Sequence, residues 1–347
     1  MFNNRIAGIV RLFSIEINKL SKNKAVYITI MVLVTLVAAL ASVPANTYKS
    51  LVASQEKSIQ EMSEKIDAGF PLTISAWPEG YNPADYPLVD AEGNLIKENA
   101  ELYKRFLREH LEAQNNGLTS EGGRYSFLNL MSQGARQGAG IVAILSLGVA
   151  ISLFAGDFNR GAYRLMVSRG ARRSNIITAK ALAAGAIAVA VSLIATITIL
   201  VTLRLLYQGF GTPHPAIFSI GDLGNIFWVF FLIALVYMAL GGFFAMLLAS
   251  SGSSMAVGLV WGFISVGFFS VTPCGEGLLS IISPATIGYN AGSLMYNMWP
   301  GATLITGASA EQECYRTTSL AISLMLGYAA VFTAAIYAIF NRKELKG

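Results

Sequence analysis

The chain has 347 residues, of which 54% are hydrophobic and 13% charged, and a formal net charge of +5. Apolar content this high, with about half the charge of an average globular domain, excludes an ordinary soluble domain and points to the membrane class. No basic tract exceeds the Arg172-Arg173 pair, which argues against nucleic acid as a partner, and two cysteines without a CxxC or His/Cys cluster give no zinc or redox motif.

From the N-terminus, Ile6, Ile9, Val10, Phe13, Ile17 and Leu20 form an apolar stripe, with Arg5, Arg11, Glu16 and Lys19 mostly off it. This pattern predicts an amphipathic helix lying in the headgroup plane, within residues 1–24. A bilayer core needs about twenty apolar residues per helix, so charge-free stretches give the spans. The first is 25–43. A cleavable signal peptide competes for it, since Ala39-Leu40-Ala41 resembles a cleavage site, but signal cores are shorter.

Residues 44–136 then form an external region long enough to escape the charge rule. Within it, Val52, Gln55, Ile59, Met62 and Ile66 recur at helical spacing, as do Ile96, Asn99, Tyr103, Phe106 and His110. Two amphipathic helices are expected, packed as an antiparallel pair around a Pro-rich connection. Such a region serves either as a cap that meets cargo or as a solvated stalk. The second span is 137–155.

Between the second span and the third, at 178–207, lies a polar stretch, 156–177, carrying Arg160, Arg164, Arg169, Arg172 and Arg173. Asp157 and Asn159 are expected to cap a short helix from about Arg160, with Gly170 as its stop and Ser174 capping the next helix. On that short helix Tyr163, Met166 and Val167 share one face, and Arg160, Arg164 and Ser168 another. Topogenic arginines bound to lipid headgroups give the same pattern.

A charge-free run from Leu223 to Gly275 is too long for one helix. The Ser-rich break around Ser250 to Ser254 divides it into a fourth span, 225–248, and a fifth, 255–273. Gly258 and Gly262 in the fifth span make a GxxxG pair that permits close helix approach, either at a subunit seam or within the subunit. The segment 274–316 is interrupted by Pro284 and Pro300 and fits short re-entrant helices better than a seventh span. Cys274 and Cys314 flank it, either as a disulfide or as two free thiols. The sixth span is 317–340 and the tail 341–347. Six spans put every basic cluster on one side, cytoplasmic by the positive-inside rule; seven would put the tail outside. The fold class expected is therefore an all-α polytopic membrane protein with six transmembrane helices and both termini cytoplasmic.

The stretch from Gly156 through Ser174, followed by Lys180, resembles the ATP-binding-cassette (ABC) type 2 export permeases. Ser283-Pro284 with Tyr289 resembles a further feature of that family at the outer re-entrant turn. Two departures are visible: Asp157 stands where the family usually has Glu, and no proline lies near Gly170. The resemblance implies a cytoplasmic coupling helix that docks on an ATPase through Asp157, Arg160, Tyr163, Arg164, Met166, Val167, Arg169, Arg172 and Arg173. It also implies a fifth span at the dimer seam, with Gly258 and Gly262 facing it. The chain has no GxxxxGK[ST] loop, so a separate ATPase, in two copies, is expected to bind ATP and Mg, with no cofactor on this chain.

The partners implied are that ATPase, a second permease copy (identical or related) and membrane lipids, in a bacterial plasma membrane. The function implied is ATP-driven export of an amphipathic cargo such as an antimicrobial peptide, drug or lipid-like molecule. Two alternatives stand beside it. One is a non-transporting peptide-sensing or immunity complex on the same body. The other is an ion-coupled secondary transporter, disfavoured because no ionisable residue lies mid-span. No Ser/His/Asp or paired-acid constellation marks a hydrolase, and His110 and His214 are isolated.

Overall fold

A computed structural model describes residues 2–22, 24–67, 88, 96–119, 127–159, 161–207, 220–267, 283–299 and 316–342. The described elements are helical, as the apolar periodicity requires. They are α1 (Phe2–Ser21), α2 (Lys24–Asp67), α3 (Lys97–Thr119), α4 (Phe127–Asn159), α5 (Ala162–Ser168), α6 (Arg173–Tyr207), α7 (Ile220–Leu248), α8 (Ser251–Gly267), a 3₁₀ turn (Ser283–Ala285), α9 (Ile287–Met298) and α10 (Thr318–Arg342). Five of these, α2, α4, α6, α7 and α10, are long and apolar enough to cross a membrane; α8 is apolar but shorter.

The bundle is organised around α4, which packs most extensively on α7 and also touches α2, α6 and α8. Ala135, Ala139, Val142, Ala143, Leu147 and Ile151 of α4 are fully buried. In lipid there is no hydrophobic drive between helices, so such contacts rest on close packing of small residues. The outward faces of α2, α6 and α8 are apolar, with Met31 68%, Ile197 56% and Val260 63% exposed.

Several expected boundaries shift. Pro44 does not end the first span: α2 runs unbroken for 44 residues, joining the span to the first amphipathic segment. Proline removes one N–H, the one that would bond Leu40 O, and crowds the preceding turn, but transmembrane helices tolerate it. Likewise α4 begins ten residues before the expected span, so Arg136 lies inside the helix. Beyond Pro44, Val52, Gln55 and Ile59 are half-buried, α3 packs on α2, and Ala100 and Tyr103 are buried.

At the Ser-rich break, α7 ends at Leu248 and α8 starts at Ser251, with Ala249 at φ 52° and Ser254 donating to Phe244 O at 3.2 Å. Gly258 and Gly262 are buried against α4 of the same chain, facing Leu147, Ile151 and Ile144. The close approach they allow in this chain is to α4. The residues at right angles and opposite, Val260, Trp261, Phe263 and Ile264, are the exposed ones. Between α8 and α10 the short helix α9 is almost wholly buried, capped by Thr286 accepting from Tyr289 N at 3.2 Å. Tyr328 of α10 donates to Ala285 O at 3.0 Å, and Trp299 meets Phe230 of α7 edge-on. Cys274 and Cys314 lie outside the described residues.

Gly241 of α7 and Gly258 of α8 test this packing differently. A Cβ at Gly241 would stand 2.5 Å from the backbone oxygen of Leu147, whereas one at Gly258 would meet only side-chain ends, Ile151 Cδ1 at 2.7 Å and Leu147 Cδ2 at 2.9 Å. Backbone cannot yield as a side chain can, so Gly241→Ala is expected to cost about 1–3 kcal/mol and Gly258→Ala less. Thermal unfolding of the purified variants in detergent checks the order; equal losses would contradict the packing.

Candidate functional site: the joint of α1, α4, α5 and α6

One end of the bundle gathers four elements and the C-terminal turn of α10. There α4 passes through a tight turn into α5, a helix of only seven residues. Gly161 takes φ +64°, a left-handed conformation that a Cβ would disfavour, and reverses the chain. At the far end Gly170, at φ +84°, closes α5 with a Schellman pattern: Gly170 N donates to Val167 O at 3.0 Å and Ala171 N to Met166 O at 3.1 Å. Gly170 is therefore the stop the sequence implied.

The start of α5 differs. Asp157 is no cap; it sits in the last turn of α4, which continues to Asn159, and the N-cap of α5 is Gly161, without a side-chain bond. Ser174 is likewise inside the first turn of α6, with Arg172 O accepting from Asn175 N at 3.0 Å. A carboxylate at a helix C-terminus faces the negative end of the helix dipole. Asp157 is also 4% exposed, so burial adds to the cost.

Two lysines offset both penalties. Lys180 of α6, fully buried, places Nζ 2.7 Å from Asp157 Oδ2, and Lys19 of α1 donates to Asp157 Oδ1 at 2.9 Å. Glu16 of α1, 5% exposed, lies 3.5 Å from both ammonium groups. Lys180 Nζ also donates to Leu153 O at 2.8 Å. The rings of Tyr163 and Phe154 lie 5.5 and 5.9 Å from it, within cation–π range. Two acids and two bases thus compensate one another where α1, α4 and α6 meet. Burial by itself would lower the pKa of Lys19, but its hydrogen bond and charge contact with Asp157, followed by those with Glu16, outweigh it and leave the pKa raised.

Tyr163 ties α5 to this cluster. Its hydroxyl donates to Phe154 O at 3.0 Å, and its ring packs between Phe158 and Phe340, at 4.6 and 4.9 Å. Burial, then the nearby charges of Asp157 and Glu16, raise its pKa well above the ordinary tyrosine value, so it stays a donor. Arg173 donates to Asn341 O at 3.3 Å and Thr178 bonds Tyr337 at 2.7 Å, fastening α6 to α10.

The residues assigned to docking therefore divide. Asp157 and Tyr163 are buried and hold the joint together, so neither presents a surface to a partner. Met166 and Val167 are half-buried against the core. Arg164, Arg169 and Arg172 are exposed, as is Leu165 at 53%. Arg160 lies outside the described residues. Glu16 and Lys19 were read only as the polar side of an amphipathic helix; the signal that could have found them is a lone acid at i, i+3 from a lysine in an otherwise basic segment.

The sequence matches the profile of the ABC-2 family transporter proteins over residues 11–345. The chain belongs to that family. No individually curated relative matches the sequence. ABC-2 permeases are membrane subunits of ABC transporters and normally pair with an ABC ATPase, which agrees with the several apolar helices found here. In this permease the stretch between α4 and α6 is the polar connection by which the sequence resembled the family.

Breaking a buried pair on one side leaves an uncompensated charge and costs about 3–5 kcal/mol. Lys180→Met is expected to lose that much, and Lys180→Met with Asp157→Leu to recover most of it. Lys19→Met should lose less, because its side chain is 42% exposed and the pair is partly screened by water. Chemical or thermal unfolding in detergent gives the ranking; a double variant no better than Lys180→Met would refute mutual compensation.

Proposed function

We propose that this chain is the permease half of an ATP-driven exporter, with α5 as the coupling helix that receives a separate ATPase. The observation that carries the reading is the two-sidedness of α5. Tyr163 is locked into the body, while Arg164, Leu165 and Arg169 are exposed at the end of the bundle. A short helix clamped from behind transmits a push without dissipating it in local bending. An apolar residue framed by arginines suits a groove with an acidic rim on the ATPase.

Six crossings with cytoplasmic termini make the arrangement consistent. Lys19 before α2, Asp157 at the end of α4, Arg173 at the start of α6 and Asn341 at the end of α10 all meet at one end. Chain direction then requires α2, α6 and α8 to run away from that end and α4, α7 and α10 to return, with α9 re-entering on the far side. The arginines lie at the shared end, as the positive-inside rule asks of the cytoplasmic face. Six spans form half a transporter, so two copies meet about a two-fold axis, each with its own ATPase subunit holding ATP and Mg. ATPase closure drives the two α5 helices together and alternates a central cavity between inner leaflet and exterior, moving an amphipathic cargo outward.

Charge reversal of Arg164 and Arg169 together is expected to uncouple ATP hydrolysis from transport while leaving insertion and unfolding temperature unchanged. Normal cargo efflux by that variant would overturn the docking role. For topology, Cys274 and Cys314 are first replaced by Ser, and single cysteines at Lys343 and Glu98 are then labelled with an impermeant maleimide. Labelling from opposite sides is expected; labelling from the same side would refute six crossings.

A further inference from the structure

On α4, Ser132, Arg136, Ala139, Ala143, Leu147 and Ala150 follow one another at spacings of three and four, so they form one stripe along the helix. The neighbours place that stripe. A Cβ at Gly241 of α7 would meet Leu147 O and Ala150 Cβ, and one at Gly258 of α8 would meet Leu147 and Ile151. This is therefore the face that α4 turns to α7 and α8, and Ser132, Ala139, Ala143, Leu147 and Ala150 are all buried on it.

Arg136 departs from the pattern. It is half-buried where the others are buried, and it forms no hydrogen bond or ion pair with any described residue, although Ser132 and Gln133 beside it are both engaged. Its nitrogens stay open to solvent. The reason lies in where α8 ends. Gly140, one turn nearer the joint, is still covered: a Cβ there would come 2.9 Å from Val266 Cγ1, and α8 ends at Gly267. Arg136 stands about 6 Å further along the axis of α4, past that end.

Its depth is also set by α4. Asp157, in the joint, lies about 32 Å from Arg136 along the same helix, close to the thickness of a hydrocarbon layer. Arg136 thus marks the edge of the apolar layer at the end opposite the joint. An arginine that merely anchors a span there snorkels from the lipid side to the headgroups. Arg136 is on the side turned toward α7 and α8 instead. A guanidinium stays charged in a protein and accepts nothing. Flanked by apolar helices and without a counter-ion among the described residues, it holds a fixed positive potential over the space at its head.

We propose that Arg136 is a specificity-determining residue at the outer mouth of the cargo path, and that the cargo carries an anionic group, a carboxylate or phosphate, on an apolar body. This rests on the exporter reading and narrows its cargo. An anionic group forms a charge-assisted hydrogen bond with Arg136. A cationic amphiphile meets a like charge there and is disfavoured.

The test uses the complex of permease and ATPase in proteoliposomes, with two fluorescent probes of similar length, 11-(dansylamino)undecanoic acid and 12-(dansylamino)dodecylamine. Efflux and stimulated ATP hydrolysis give kcat/KM for each. A hydrogen bond to a charged group is worth about a ten-fold change. The wild type is expected to prefer the acid, Arg136→Gln to lower the acid-to-amine ratio about ten-fold, Arg136→Lys to keep most of it and Arg136→Glu to invert it. Because Arg136 has no partner in the fold, all three variants should unfold at the wild-type temperature in detergent. An unchanged ratio in Arg136→Gln, or a wild type that prefers the amine, would overturn the inference while leaving the exporter reading intact. A clear fall in unfolding temperature in Arg136→Gln would also overturn it, since the residue would then be serving the fold. Export of neither probe by the wild type, with no stimulated hydrolysis, would count against the exporter reading and take this inference with it.

Discussion

The contact between Lys180 and Asp157 constrains the rest of this end of the molecule. An ammonium and a carboxylate this deeply buried cannot stay ionised separately, and neither can be supplied by one helix alone. Asp157 needs Lys180 to sit at the end of α4, and Lys180 needs Asp157, Glu16 and the Leu153 carbonyl to enter a hydrophobic bundle. The start of α6 is thereby registered to the end of α4. The chain between them has only a tight turn, seven helical residues and a second turn with which to close the gap. The shortness and position of α5 follow from that registration as much as from its own sequence.

The same contact explains why α1 belongs to the body rather than merely to the membrane surface. An amphipathic helix in the headgroup plane is held by its apolar face, and sliding along its axis costs little. Here Glu16 and Lys19 fix the axial position, since a shift of one turn would leave Asp157 with Lys180 as its one charged partner and would take Glu16 from Lys180. Ile9, Leu12 and Phe13 are half-buried, while Ile6, Val10 and Ile17 remain exposed. The apolar stripe in the sequence is thus two faces, one packed on the protein and one left exposed, divided by a row that periodicity alone does not resolve.

What could be read from the sequence follows from which physical signal dominates. Long apolar runs announced the helices because lipid demands internally satisfied backbone. The Ser-rich break at 249–254 and the Gly170 stop were legible for local reasons, a chain reversal and a positive φ. Boundaries set by long-range contacts were not. Pro44 looks like a terminus in isolation, yet the helix continues because α3 gives the extension something to pack on. Asp157 has the residue type and spacing of an N-cap, and only the approach of Lys19, 138 positions away, shows that it is a buried counter-ion instead. Gly258 and Gly262 mark a close approach, but a GxxxG pair does not say to which helix, and here the neighbour is α4.

The division of α5 into a buried anchor and an exposed arginine face bears on how a push would travel. Tyr163 bonds a carbonyl of α4 and packs at a tilt on Phe340 of α10, and Lys180 lies within reach of its ring. Displacing α5 therefore loads α4, α6 and α10 together, where a helix held by lipid alone would load none of them. Since α4 is the central element of the bundle, a tilt there repositions its contacts with α2, α7 and α8 at once. Packed interfaces of this kind respond by switching between discrete arrangements rather than by continuous bending. The ionic joint thus fastens α1, α4 and α6 at one end of the bundle, and Tyr163 adds α5 and α10 to the same knot.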